Sequence, residues 1–171
     1  MLKRRLISNN TLKSKMKYLL ALMFLLLLLA ACTKPETSQQ LVETPESKLE
    51  GYSGSLLAGV NSAKYLDFNK QDYEKALKEN KKVLLYFYAN WCRICKAEQQ
   101  HTIAAFNQLN DPNLVGFRVN YKDSDTDADE EELAKQFGIP YQHTKVLLVD
   151  GKQVLKAPDS WNKERYLKEL G

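Results

Sequence analysis

Apolar positions fall into three regimes along the chain. Tyr18 to Ala31 (YLLALMFLLLLLAA) runs fourteen residues without a charge. Thr33 to about Ala58 carries Pro35, Pro45 and many Ser, Thr and Glu with little periodicity, which is linker composition. Within it, Ser53 to Val60 is a candidate ordered lead-in. From Leu66 onward the pattern switches between strand and helix periods. Leu66 to Phe68 predicts a short strand, and Asn69 is placed to cap a helix running to Asn80, with Tyr73, Ala76 and Leu77 on one face. Lys82 to Tyr88 (KVLLYFY) is a nearly continuous apolar and aromatic run, the mark of a strand buried on both faces. A helix is expected from near Cys92 to about Leu109, before Asp111-Pro112-Asn113 breaks the pattern. Val115 to Tyr121 reads as a strand, Glu130 to Phe137 as a short helix, and Thr144 to Val149 as another strand. Asp150-Gly151 turns the chain tightly into Gln153 to Leu155, and Asn162 to Leu170 closes it as an amphipathic helix. The order is β-α-β-α-β-α-β-β-α: parallel crossovers first, one antiparallel hairpin last.

At 171 residues the chain has room for one domain of ordinary size. Its formal charge of +4 is unevenly spread: the first 31 residues hold six basic and no acidic residues, the remainder 19 basic and 21 acidic. The positive balance belongs to the N-terminus, which removes the main support for nucleic-acid binding. With 44% hydrophobic and 27% charged residues, the composition is neither disordered nor that of a polytopic membrane protein. Three cysteines cannot build a disulfide scaffold.

The apolar run at Tyr18 to Ala31 falls short of the roughly 20 residues that span a bilayer as a helix. Lys13, Lys15 and Lys17 precede it and small residues follow, the layout of a secretory signal peptide. It ends Leu29-Ala30-Ala31-Cys32, which resembles the bacterial lipobox. That resemblance implies cleavage before Cys32, lipidation of Cys32, and a mature N-terminus held on a membrane on its extracytoplasmic side. The competing reading is an uncleaved anchor helix with an incidental cysteine; the polar segment that follows at once argues against it. Met16 is an alternative start. The expected organisation is a signal peptide over 1–31, a lipid-anchored linker over 32–60 with a reach of about 25–30 Å, and a folded domain over 61–171.

Candidate chemistry concentrates in Ala89-Asn90-Trp91-Cys92-Arg93-Ile94-Cys95-Lys96. Two cysteines at this spacing on the first turn of a helix can close a small disulfide. The unpaired N–H groups and partial positive charge of the helix end favour a thiolate at Cys92, and Arg93 and Lys96 push the same way. Cys92 is then the attacking sulfur, and Cys95, one turn deeper, resolves a mixed disulfide. Half a zinc site is the alternative, but no second cysteine pair completes one.

W-C-x-x-C after a buried strand, in this element order, resembles thioredoxin over about Leu66 to Leu170. The run VLLYFYANWCRICK is most similar to membrane-tethered and periplasmic thioredoxin-like reductases such as the C-terminal domain of the electron transporter DsbD. The resemblance implies an α/β thioredoxin-like three-layer fold, with a central mixed sheet of four to five strands flanked by helices. It implies a thiol-disulfide oxidoreductase with no bound cofactor beyond a Cys92–Cys95 redox disulfide. The partners it implies are protein thiol or disulfide substrates and a membrane electron donor or acceptor, with the protein itself a monomer. Trp91 is expected to cover the disulfide and offer an apolar contact to substrate.

Two departures from the family stand out. Where thioredoxins carry a buried Asp that helps deprotonate the resolving cysteine, this chain has Tyr86, whose phenol is a poor base at neutral pH. The family's cis-proline has two candidate positions: Pro140, in the lettering Gly138-Ile139-Pro140, or His143, on the count back from the Asp150-Gly151 hairpin. The hairpin count is favoured, and it puts an imidazole against Cys92 and Cys95. Two thiolates and an imidazole suit a soft or borderline metal. Gln142-His143-Thr144 also resembles the His-Thr of Sco-type copper-binding proteins, which use two cysteines and that histidine, although their cysteine spacing is C-x-x-x-C. A copper-binding module through Cys92, Cys95 and His143 is therefore the alternative function; the plainer alternative for His143 is a packing residue.

Asp123, Asp125 and Asp127 hint at a calcium loop, but Ala128 stands where it needs Gly and Ala134 where it needs Glu. A solvated loop in which Asp127 or Asp129 caps the next helix is the better reading. His101 lies two and a half turns along the helix from Cys92 and reads as a surface residue.

Overall fold

The computed structural model describes residues 51–59 and 62–171. The expected signal peptide, Cys32 and most of the linker lie outside the described residues. Among those described, no helix is long and apolar enough to cross a membrane. The elements are β1 Leu56–Ala58, β2 Lys64–Asp67, α1 Lys70–Lys78, β3 Lys82–Tyr88, α2 Arg93–Phe106, β4 Leu114–Asn120, α3 Ala128–Gln136, β5 Thr144–Val149, β6 Lys152–Ala157 and α4 Lys163–Leu170.

The apolar run of β3 takes the centre of the sheet. Its side chains alternate: Leu84, Tyr86 and Tyr88 enter one core cluster, Val83, Leu85 and Phe87 the other. Each such side chain removed from water contributes about 1.5–3 kcal/mol, which makes this strand a main anchor of the fold. The strand order is β1-β2-β4-β3-β5-β6. β3 pairs with β4 in parallel on one edge and with β5 antiparallel on the other. Residues from α2 and α4 share the first cluster, and residues from α1 and α3 the second, giving three layers.

The helices begin where capping chemistry permits. Asn69 accepts from the N–H groups of Gln71 and Asp72, and Asn162 from that of Arg165. Asp127 and Glu130 form a reciprocal capping box on α3. At the β5–β6 hairpin Asp150 and Gly151 both take positive φ, as the tight turn requires. Gly116 in β4 answers a different need: a Cβ there would stand 2.5 Å from the Phe106 ring. Its absence lets Tyr65 and Phe106 stack with centroids 5.0 Å apart.

The sheet has six strands rather than four to five. The addition is β1, which pairs antiparallel with β2 and lies in the stretch read as linker. Hydrogen bonds rather than periodicity hold this lead-in. The buried Asp72 carboxylate accepts from the N–H groups of Ser53 and Gly54, and Ser55 O from that of Asp67.

Glu130 also bridges, its two oxygens accepting from Asn120 N–H at the end of β4 and Asp127 N–H at the start of α3. Burial nevertheless pushes its carboxyl up to about 7. A carboxyl raised in the folded chain binds its proton more tightly folded than unfolded. Its contribution to stability is therefore complete below its ordinary value of 4.5 and is lost as pH rises through about 7. We expect the urea midpoint to fall from about pH 5 to about pH 8, with a flatter slope in Glu130→Gln. Equal slopes in the two proteins would remove Glu130 as the cause.

Candidate active site

The antiparallel pairing of β3 with β5 puts the end of one beside the start of the other: Phe87 faces Thr144. The chain leaves β3 through Ala89, Asn90 and Trp91 and enters α2 at once. The start of α2 and the residue before β5 therefore meet at one edge of the sheet.

Cys92 is the N-cap of α2, in extended conformation, and its sulfur accepts from the Cys95 N–H at 3.2 Å. It is disulfide-bonded to Cys95, with Cα atoms 5.2 Å apart. Cys92 is 7% exposed and Cys95 fully buried, so an approaching group meets Cys92 first. The first turn holds no acidic residue, and Arg93 and Lys96 are exposed beside it. A thiolate here faces the positive end of a helix without a competing carboxylate on that turn.

His143 immediately precedes β5, and its N–H donates to the Phe87 carbonyl at 2.7 Å. Its ligand nitrogen and the two sulfurs all lie within 4.8 Å of one another. Pro140 is exposed in the preceding loop, and no peptide bond among the described residues is cis. The hairpin count thus found the residue that meets the cysteines. His143 reaches them with φ +52, in the left-handed region. Its Nδ1 is buried without a hydrogen-bond partner. Burial, then the Lys145 charge, push the imidazole below its ordinary value, which favours the neutral ring while the sulfurs are disulfide-bonded.

Tyr86 lies on β3 beneath the helix, and its hydroxyl donates to the Cys95 carbonyl at 3.2 Å. Burial, followed by the nearby Glu98 charge, pushes this phenol far up. It holds the first turn and does not act as a base.

Trp91 is 60% exposed, and its indole N–H donates to the Lys122 carbonyl at 2.9 Å. The aspartate-rich loop supports the same turn. Asp123 accepts from the Asn90 N–H at 2.7 Å, and the Asn90 side-chain amide donates to Ser124 and Asp125. Hydrogen bonds from Asn90 and Ser124 hold the Asp125 carboxyl below its ordinary value. Asp127 caps α3, so Asp123 and Asp125 serve the Asn90 turn and Asp127 serves the helix. His101 is exposed on α2.

The sequence reading missed Glu98 and Lys145. Glu98 lies one turn past Cys95, and its Oε1 receives Lys145 Nζ at 2.6 Å with both side chains buried. In sequence each reads as an ordinary surface charge, 47 positions from the other. One signal was available: Lys145 interrupts an otherwise apolar strand. Burial pushes the Lys145 ammonium down, and its hydrogen bond to Glu98 opposes that.

A family model, Thioredoxin, matches residues 64–170. Comparison with curated protein sequences brings no match. Among solved structures, Trxlp from Edwardsiella tarda is 22% identical with a TM-score of 0.52, over 61% of this chain and 95% of that one. Thioredoxin f from spinach chloroplast is 20% identical with a TM-score of 0.50, over 64% and 92%. A thioredoxin-like protein from Clostridium perfringens is 14% identical with a TM-score of 0.52, over 64% and 79%. At these identities the structures speak for the fold alone.

Proposed function

The chain belongs to the thioredoxin family and is a thiol-disulfide oxidoreductase, and from that premise we propose that it works anchored to a membrane outside the cytoplasm, reducing disulfides of cell-envelope proteins. The observation that carries the redox part is the Cys92–Cys95 pair closed across the first turn of α2, with Cys92 at the cap. The anchoring is supported by sequence: the Lys-flanked apolar run, the Leu29-Ala30-Ala31-Cys32 ending and the linker after it.

In the reaction, the Cys92 thiolate attacks one sulfur of a substrate disulfide. That S–S bond breaks, and the released substrate sulfur takes a proton from water. Cys95, on losing its proton, attacks Cys92 in the mixed disulfide. The second substrate sulfur leaves with the proton that Cys95 gave up and Cys92–Cys95 closes, so the substrate has gained two electrons from the pair, one proton from Cys95 and one from water. A protein dithiol donor at the membrane returns the pair to its reduced form. The exposed Trp91 ring gives the incoming chain an apolar contact, and the His143 imidazole tunes the sulfurs it faces.

Cys92→Ser is expected to abolish catalysed reduction of a peptide disulfide, measured with the reduced protein in chelated buffer. Exchange retained at more than about a hundredth of the original rate would overturn the assignment of Cys92. For the anchor, cells expressing the chain and fed labelled palmitate should incorporate label into it, and Cys32→Ala should lose that label. An unlabelled parent protein would refute lipidation.

A second reading, a copper-binding module, is supported by one observation: the cluster of Cys92, Cys95 and His143 donors, with Nδ1 uncommitted. The two sulfurs are bonded to each other here and reach the spacing of two ligands on one ion only once the disulfide is reduced. Thiolates with imidazole suit a soft ion such as monovalent copper, and only the reduced pair supplies them. On this reading the reduced protein binds one Cu(I), and His143→Ala weakens binding at least about tenfold in a competition titration. Affinity indifferent to that substitution would remove His143 from any such site.

A further inference from the structure

The ion pair between Glu98 and Lys145 places both charges out of reach of water, with side-chain exposures of 2% and 0%. Stability alone is a weak reason to keep it. Desolvating two ions offsets their attraction, and apolar side chains of the same volume commonly serve a core as well. What distinguishes this pair is what else it holds.

Lys145 Nζ also donates to the carbonyl of His143, at 2.8 Å, and to that of Asp159. Glu98 Oε1 also accepts from the Trp161 N–H and the Tyr166 hydroxyl, both at 2.9 Å. Through these bonds α2, which carries Cys95, is tied to the entry of β5 and to the loop before α4.

His143 is where the tie has chemical consequence. A left-handed φ is sparsely used outside glycine, and it persists where the surroundings over-determine it. Here both backbone polar groups of the residue are held: the N–H by Phe87 of β3, the carbonyl by Lys145. With the backbone fixed from both sides, the ring is left among the two sulfurs, its buried Nδ1 uncommitted to any protein group.

We propose that the Glu98–Lys145 pair is a positioning device for His143, holding its backbone so that the imidazole stays against Cys92 and Cys95, and that the pair acts on disulfide exchange through His143. This rests on the reading of Cys92 and Cys95 as the redox pair. Glu98 and Lys145 are positioning residues, and neither carries electrons or protons in the reaction.

The test is a coupling measurement on the full chain. Glu98→Gln with Lys145→Met removes both charges together, so neither is left buried alone, and the Gln oxygen still serves Trp161 and Tyr166. The readout is the equilibrium constant of the Cys92–Cys95 disulfide against glutathione, with His143 present and in a His143→Ala background. With His143 present, removing the pair should shift the constant about fivefold; in the His143→Ala background the shift should fall below about 1.5-fold. Equal shifts in both backgrounds would show that the pair acts independently of His143 and would overturn the proposal. A folded double variant with no shift in either background would make the pair merely structural. If the double variant does not fold, Glu98→Asp keeps both charges and draws Lys145 back from the His143 carbonyl; a shift of about twofold, again dependent on His143, is then expected, and its absence overturns the proposal. Failure of the redox reading shows separately, as exchange that survives Cys92→Ser.

Discussion

β3 is buried on both faces and hydrogen-bonded on both edges, parallel to β4 and antiparallel to β5. The reversal of direction at this strand is the constraint from which the site follows. A parallel crossover delivers the N-terminus of α2 to the end of β3. The antiparallel neighbour delivers its own first residue to the same end. Two segments 51 positions apart in sequence, Cys92 and His143, are thereby brought together by strand pairing before any side chain chooses a partner. Tyr121 N–H on the Tyr88 carbonyl and His143 N–H on the Phe87 carbonyl close the two sides of that end.

The charges around the disulfide are arranged to make its two sulfurs unequal. On the outer side are the helix N-terminus, exposed Arg93 and Lys96, and no carboxylate on the first turn. All of these favour negative charge at Cys92. On the inner side, Cys95 is fully buried, with the Tyr86 phenol below its carbonyl and the Glu98 carboxylate one turn further on. Burial disfavours a thiolate at Cys95. The asymmetry of attacking and resolving sulfurs is thus a property of position on the helix.

The strands and helices were legible because their signals are local. The β3 and β5 boundaries agree with the apolar runs Lys82 to Tyr88 and Thr144 to Val149, and the Asn69 and Asn162 caps stand where polar residues precede periodic ones. The C-x-x-C was legible for the same reason. His143 was reachable because a hairpin turn gives a register from which residues can be counted. Other features were not. β1 has three residues and no period, and depends on Asp72 accepting backbone N–H groups 18 and 19 positions away. Glu98 and Lys145 carry no local sign of burial beyond one lysine in an apolar strand. Their pairing exists only once α2 lies against the sheet.

On the hairpin count His143 stands where the family's proline is expected, and that choice of residue sets the physics of the strand entry. Proline fixes φ near about −65° and has no N–H to donate. His143 stands at φ +52 and donates to Phe87 at 2.7 Å. His143 therefore makes a hydrogen bond between the end of β3 and the start of β5 that a proline could not make, in a backbone conformation that L side chains adopt rarely. The imidazole also brings ring nitrogens to the sulfurs, where a proline side chain would bring none. One of them, Nδ1, is buried and has no hydrogen-bond partner. The ring is half-buried with one nitrogen within 4.8 Å of both sulfurs, so it stands where a change in its charge is felt at each of them.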